Sequence, residues 1–282
     1  MVTGGASGIG RACALAFARA GSDVVVADLD EDGARDVAAE IESLGRRALS
    51  VRVDVTEAAE LDDLVRRSIL WQGHLDLFFS NAGVAIAGEP ERIPPEDWEA
   101  VAAVNLWPHV RILRTVVPHM LDRRSGYLLH TASAAGPVGN PGTTPYVVTK
   151  FAVVGLAESL AIRLSGSGVG VSVLCPLFVA TNLIMTSPPR FAGSDDPAEA
   201  AERREAAHRR LQEGSPPELV ADAVVAGVAE GRLYILPHPE VADFVRAKWE
   251  DPDVWVRRMA ALWRTHPEAL DPSAREARQA GS

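Results

Sequence analysis

Residues 1–30 read MVTGGASGIGRACALAFARAGSDVVVADLD, and this stretch decides the fold. A glycine-rich turn, Thr3–Gly10, leads into a helix-length segment, Arg11–Ala20, and then into an apolar run, VVVADL (Val24–Leu29). Gly4, Gly8 and Gly10 fall at relative positions 0, 4 and 6, whereas the usual dinucleotide fingerprint spaces its glycines 0, 2 and 5. Between a strand and a helix, such a turn lets backbone N–H groups approach a pyrophosphate, and the helix N-terminus stabilises the charge. Ser7, Gly8, Ile9 and Gly10 are the residues placed to do so. An ordinary tight turn is the alternative.

The acid that closes the apolar run is Asp28, 20 residues after Gly8. A carboxylate there can accept both ribose hydroxyls of NAD and would repel a 2′-phosphate. Leu29 and Asp30 supply no cation for such a phosphate, which favours NAD over NADP. A helix-capping aspartate in a turn is the competing reading.

Outward from this start the alternation continues. Leu49–Val55, Leu75–Ser80, Gly126–Ser133 and Gly170–Pro176 are short apolar runs, several nearly continuous, as strands covered on both faces should be. Between them lie helix-spaced segments: Asp32–Leu44, Ala58–Leu70, Glu96–Asp122 and Tyr146–Leu164. The expected fold is therefore α/β, a doubly wound parallel sheet in three layers. Leu164–Pro189 carries no charge, but its glycines, prolines and hydroxyl residues identify it as a buried strand entering a neutral loop, not a membrane helix.

Composition narrows the function. Of 282 residues 47% are apolar and 23% charged, enough to build a large core and too much to leave the chain disordered. A net charge of −10 argues against nucleic acid as a partner. Two cysteines, Cys13 and Cys175, make neither a disulfide framework nor a zinc site and suit a reducing cytoplasm. The first residues lack the basic patch and apolar run of a signal peptide. Seven histidines show no ligand spacing, and no metalloprotease, phosphate-loop or serine-hydrolase motif occurs.

One pair stands out. Tyr146 and Lys150, in YVVTK, are four residues apart and share a helix face. Only two of the chain's 28 basic residues are lysines, Lys150 and Lys248. A chain that uses arginine wherever a surface cation suffices keeps a lysine for chemistry. An ammonium beside a phenol favours the phenolate and is expected to bring the phenol's pKa down toward neutrality, which makes a general acid/base.

TGGASGIG, SNAG (Ser80–Gly83), Asn105 in VNLW, Ser133 in HTASAAG and YVVTK, in this order, resemble the short-chain dehydrogenase/reductase family over about residues 1–190. The resemblance implies a nicotinamide-dependent enzyme that interconverts a secondary alcohol and a ketone. It implies Tyr146 as catalytic acid/base, Lys150 on the nicotinamide ribose, Ser133 on the substrate oxygen and Asn105 holding a relay water. It further implies Asn81, Ala82 and Gly83 along the cofactor, Asp54 and Val55 at the adenine, and Pro176 and Thr181 at the nicotinamide. Two alternatives are an NADP-dependent carbonyl reductase and a non-catalytic dinucleotide sensor. The family often has Pro-Gly after the sixth strand; here Pro176-Leu177 stands there. Pro108, three residues after Asn105, should kink its helix by removing the bond to the Val104 carbonyl.

The remaining expectations concern the pocket and the chain's two ends. Val84, Ile86, Pro137, Val138, Leu177, Phe178, Leu183, Ile184, Met185 and Phe191 are candidate pocket residues, with Val138, Phe178 and Met185 at the substrate, and they call for a hydrophobic molecule. Arg190 is expected to be solvated. Pro197–Glu213 has only alanine and Leu211 for an apolar face, which suits a flexible substrate lid over about residues 183–214. Residues 1–237 form the expected catalytic domain, and 238–282 a helical extension with a stripe of Trp249, Val256, Met259 and Trp263. That stripe packs on the body or on another subunit of a homodimer or homotetramer. A final strand is expected at Leu233–Leu236. The first strand, left with Met1 and Val2 before the glycine turn, is short for a central strand, so about four to eight further residues are expected upstream.

Overall fold

The computed structural model describes residues 1–192, 194 and 196–265. Residues 193, 195 and 266–282 lie outside this description, and with them two positions of the expected lid and the end of the expected extension. Seven strands, β1 (Val2–Thr3), β2 (Val24–Asp28), β3 (Ala48–Arg52), β4 (Leu77–Ser80), β5 (Gly126–Thr131), β6 (Val169–Leu174) and β7 (Tyr234–Ile235), form one parallel sheet. Its order is β3-β2-β1-β4-β5-β6-β7. The winding reverses between β1 and β4, and the crevice at the carboxyl ends of those two strands is where such sheets bind ligands.

The helices are α1 (Gly8–Arg19), α2 (Glu31–Ser43), α3 (Ala58–Gln72), α4 (Pro95–Asn105), α5 (Trp107–Arg111), α6 (Leu113–Arg123), α7 (Ala135–Val138), α8 (Thr144–Leu164), α9 (Leu183–Thr186), α10 (Pro197–Gln212), α11 (Pro217–Ala229), α12 (Glu240–Glu250) and α13 (Pro252–Thr265). Alternate strand residues face opposite sides of the sheet. Val24, Val26, Phe79 and Leu129 join Leu15 of α1, Ile41 of α2 and Val220 of α11 in one core. Val25, Ala27, Phe78 and Leu128 join Leu64 of α3, Met120 of α6 and Leu160 of α8 in the other. Burial on both faces is why these strands read as continuous apolar runs rather than alternating ones.

The short β1 is completed by hydrogen bonds beyond its ends. The Met1 nitrogen donates to the Leu77 carbonyl at 2.9 Å, the Met1 carbonyl accepts from Phe79 N–H at 2.9 Å, and Gly5 N–H donates to the Ala27 carbonyl at 3.1 Å. Among the described residues no helix is long and apolar enough to cross a membrane.

One expectation is corrected. The single helix over 96–122 is three: α4 stops at Asn105, Leu106 turns to φ −124°, and Pro108 sits in the first turn of α5. Proline lacks the N–H that would have continued the helix and fits a first turn, so it breaks rather than bends it. In the extension, Trp249 and Val256 are exposed. The inward face of α13 is Trp255, Met259 and Leu262, and Trp255 meets Phe244 of α12 with ring centroids 6.3 Å apart.

Candidate active site

The glycine turn is held open by its neighbours. Gly4 and Gly8 take φ of +63° and +52°, a region that L side chains rarely adopt. A Cβ on Gly10 would come within 1.9 Å of the Gly4 carbonyl oxygen, and one on Gly8 within 3.0 Å of Thr181 Cγ2. Asn81 braces the turn from below, its Nδ2 donating to the carbonyls of Thr3 (3.1 Å) and Gly4 (3.3 Å) while its Oδ1 accepts from Thr131 Oγ1. Gly4 also lies close against Ala82. Ser7 begins α1 without capping it through its side chain, and the first turn holds no acid. Its leading N–H groups therefore face an anion site unopposed.

Asp28 stands at the end of β2, beside this turn. Its Oδ2 accepts from Ala6 N–H at 2.9 Å and its Oδ1 from Asp30 N–H at 3.0 Å. Those bonds fix the carboxylate yet leave lone pairs for two hydroxyls. Further along the crevice, Asp54 Oδ1 accepts from the N–H and hydroxyl of Thr56, and Val55 is buried in the core. An open helix N-terminus, glycines with no room for a Cβ and an oriented carboxylate fit a dinucleotide.

Deeper in the crevice, α8 brings Tyr146 and Lys150 up to the end of β5. Burial pushes the Tyr146 phenol up to about 12, and its hydrogen bond with the Ser133 hydroxyl only partly offsets this. Lys150 is lowered to about 8, again by burial. Its Nζ lies 5.4 Å from the Tyr146 ring centroid and donates to the Thr131 carbonyl at 3.0 Å. The expected fall of the phenol's pKa toward neutrality is thus corrected: desolvation of the phenol outweighs the nearby ammonium. Cys175, at the end of β6, is also buried beside them, its thiol pushed up to about 12 by burial.

Asn105, fully buried, exchanges two hydrogen bonds with the Val84 backbone, at 2.8 and 2.9 Å. Gly83 is packed between Asn105 Oδ1 and Lys150 Nζ. The side chain of Asn105 thus pins the segment after β4 to the Tyr-Lys helix. The Pro176 carbonyl accepts from Ala134 N–H at 2.8 Å. Where Pro-Gly was the expected pattern, Leu177 N–H donates to His238 Nδ1 at 3.1 Å, and His238 Nε2 meets Ser215 Oγ at 2.7 Å. The histidine holds this backbone from the far side.

Ser133 and Tyr146 open onto a cavity of about 430 Å³. Of the expected pocket residues, Ile86, Val138, Leu177, Phe178, Leu183, Ile184 and Phe191 line it. Met185 does not; its side chain is exposed and its carbonyl accepts from Arg204. Val84 and Pro137 are also absent from the wall. Arg190 is exposed, as expected, and its Nε also donates to the buried Asp97 carboxylate at 2.6 Å.

A family model described as short chain dehydrogenase matches residues 1–190. The chain belongs to the short-chain dehydrogenase/reductase family. Its relatives include a CLA biosynthesis dehydrogenase/reductase of Lactiplantibacillus plantarum, 34% identical over 85% of this chain and 87% of that protein. Another is a 1-deoxy-11-beta-hydroxypentalenate dehydrogenase of Streptomyces exfoliatus, 35% identical over 90% and 87%. A short chain dehydrogenase/reductase from Burkholderia phymatum, solved in complex with NAD, superposes with a TM-score of 0.82 at 31% identity, covering 90% of this chain and 93% of that one. The family is one of oxidoreductases whose solved members include complexes with NAD and NADH.

Sequence reasoning set α10 over the pocket without naming its wall residues, and missed the part of the wall that α12 and α13 supply. Arg203, Arg204, Ala207 and Leu211 of α10 supply part of the wall, and Phe244, Trp255, Met259 and Leu262 supply more. The 255/259/262 spacing was available as a helical stripe, but a stripe does not say what it covers.

Proposed function

We propose that this protein is an NAD-dependent dehydrogenase/reductase that interconverts a hydrophobic secondary alcohol and its ketone. One observation carries the reading: Tyr146 and Ser133 share a hydrogen bond at the wall of an apolar cavity, with Lys150 buried behind them. Ser133 holds the substrate oxygen. Tyr146 is the general acid/base, and because burial keeps its proton on at neutral pH, it is set to protonate the oxygen of a ketone as that ketone is reduced. Lys150 steadies the phenolate left behind by its charge and, through Thr131, keeps its own place. Asn105 fixes the loop that faces them. A bound nicotinamide supplies or takes up the hydride. Gly4, Ser7, Gly8, Ile9 and Gly10 would hold the pyrophosphate, Asp28 the adenosine ribose, and Asp54 and Val55 the adenine.

Asp28 underlies the choice of NAD, since its oriented charge repels a 2′-phosphate. Residues 183–214 act as the lid, and α12 and α13 complete its seat. Free, buried Cys13 and Cys175 suit a cytoplasmic enzyme, and a homodimer or homotetramer is the proposed assembly.

Tyr146→Phe keeps the ring and removes the proton. Turnover of cyclic secondary alcohols should fall by about 10²-fold or more, with NADH binding kept. Retention of more than about a tenth of wild-type turnover rejects the assignment. In parallel, kcat/KM with NAD should exceed that with NADP, and Asp28→Ala should narrow the ratio. A wild-type preference for NADP rejects the cofactor reading.

A further inference from the structure

The cavity-facing side of α10 carries one basic group, Arg204, that has an unpartnered buried donor and no carboxylate partner among the described residues. Among the described residues four buried side-chain polar atoms lack a hydrogen-bond partner: His130 Nε2, Arg204 Nε, His208 Nδ1 and Arg210 Nη1. Three of the four belong to α10. Folded proteins leave few such atoms, and a buried donor without an acceptor calls for an explanation, a missing ligand among them. Arg210 lies on a different face of the helix from Arg204 and is not part of the cavity wall.

Arg204 is the informative one. It lines the cavity, and its Nη2 donates to the carbonyls of Ile184, Met185 and Ser187 at 3.4, 2.9 and 3.2 Å. The guanidinium is therefore fixed in place, with its Nε–H buried and unused. Its neighbours on the helix are paired, Arg203 with Glu199 at 2.6 Å and Arg209 with Glu205 at 3.7 Å. Arg204 has no carboxylate partner among the described residues. Glu199, the acid of the first turn, is already engaged by Ser194 and Arg203. His208 follows Arg204 by one helical turn, on the same face. The result is a guanidinium held by backbone carbonyls but without a carboxylate, at the wall of a cavity whose other walls, such as Ile86, Phe191 and Phe244, are apolar. A half-buried guanidinium beside apolar walls gains from a carboxylate that replaces the water it gives up.

We infer that the substrate is a hydrophobic carboxylic acid, its carboxylate received by Arg204 while its alcohol or ketone faces Tyr146. Only the placement of the alcohol or ketone rests on the proposed role of Tyr146. A neutral alcohol would add no counter-charge to Arg204, whereas a carboxylate accepts from a guanidinium through a charge-assisted bond. The name of one relative, a pentalenate dehydrogenase, is that of an enzyme acting on such an acid.

The test uses binding, so that it stands apart from turnover. Decanoate and adamantane-1-carboxylate, each with its neutral primary amide, are titrated by calorimetry into the full chain saturated with NADH at pH 7.5. Each acid should bind at least about tenfold more tightly than its amide. Arg204→Gln should remove that preference by weakening the acids about tenfold, with the amides little changed, and Arg204→Lys should recover part of it. Equal binding of acid and amide, equal loss of both in Arg204→Gln, or no binding of either acid overturns the inference. Oxidation of cyclohexanol and cyclodecanol by NAD, measured alongside, separates the two readings. Oxidation without acid preference sinks only the substrate class; acid preference without oxidation of any alcohol sinks only the proposed reaction.

Discussion

The glycine turn at the start of α1 and the cap formed by α9, α10, α12 and α13 border the same crevice by different means. In the turn, backbone meets backbone: Gly10 has no room for a Cβ beside the Gly4 carbonyl, and Asn81 ties Thr3 and Gly4 together. In the cap, side chains from segments far apart in sequence meet across a cavity, Leu183 and Leu211 with Phe244 and Met259. Backbone geometry tolerates almost no change. Side-chain walls tolerate a good deal, so one part suits a fixed cofactor and the other a changing substrate.

That contrast can be broken most sharply at Gly10. Gly10→Ala puts a methyl group where the Gly4 carbonyl lies, 1.9 Å away, and should abolish NADH binding or cost about 2 kcal/mol or more of stability. Gly155→Ala, in the interior of α8 with nothing within 4 Å of the added Cβ, is the control. It should stabilise the protein by about 0.5–1 kcal/mol. Chemical denaturation and NADH titration of both variants check the pair; equal, small effects would show that the turn is not backbone-limited.

The cap should yield more gently. Lys248 fastens α12 to the catalytic side, donating to the Pro137 carbonyl at 2.7 Å and lying 4.5 Å from the Phe151 ring centroid. Lys248→Met should raise KM for bulky substrates by roughly three- to tenfold while kcat changes less, as steady-state kinetics would show. A fall confined to kcat would place Lys248 in the chemistry instead of the cap.

A further effect is expected in the dependence of stability on pH. Burial lowers Lys150 from 10.5 to about 8. Between those values the unfolded chain holds the extra proton, so stability rises with pH there and declines as pH falls toward 8. Below pH 8 the cost of the buried ammonium is present in full. Lys150→Met removes it, so the variant should be favoured relative to wild type most at pH 7, with the difference shrinking toward pH 10. Denaturation midpoints at pH 7, 8, 9 and 10 measure it, and a difference independent of pH would place the lysine's titration outside this window.

Much of the molecule is legible in the chain because its signals are local. The strand β2, the helices α1, α2 and α8, and the seat of Asp28 follow from apolar runs, glycine turns and helical spacing within about 30 residues. Other features are not local. Glu96–Asp122 keeps a helical pattern throughout, yet Pro108 divides it, because a missing N–H outweighs continuity of propensity. Arg190 reads as a surface cation and is one, but nothing local shows that it also bonds Asp97, 93 positions earlier. Met185 follows two cavity-lining residues of α9, Leu183 and Ile184, but the rotation of the helix carries it outward.

By itself the sequence determined the sheet, the family and the candidate pair Tyr146 and Lys150, since each depends on backbone periodicity or on short spacing along one element. Tertiary structure alone decided which force governs Tyr146, because desolvation is set by everything packed around a group and a Lys four residues away is only one neighbour. It also decided that the extension closes the substrate cavity and that Arg204 faces into it without a counter-charge. Those outcomes depend on segments brought together by folding, and no window of the chain contains both sides of such a contact.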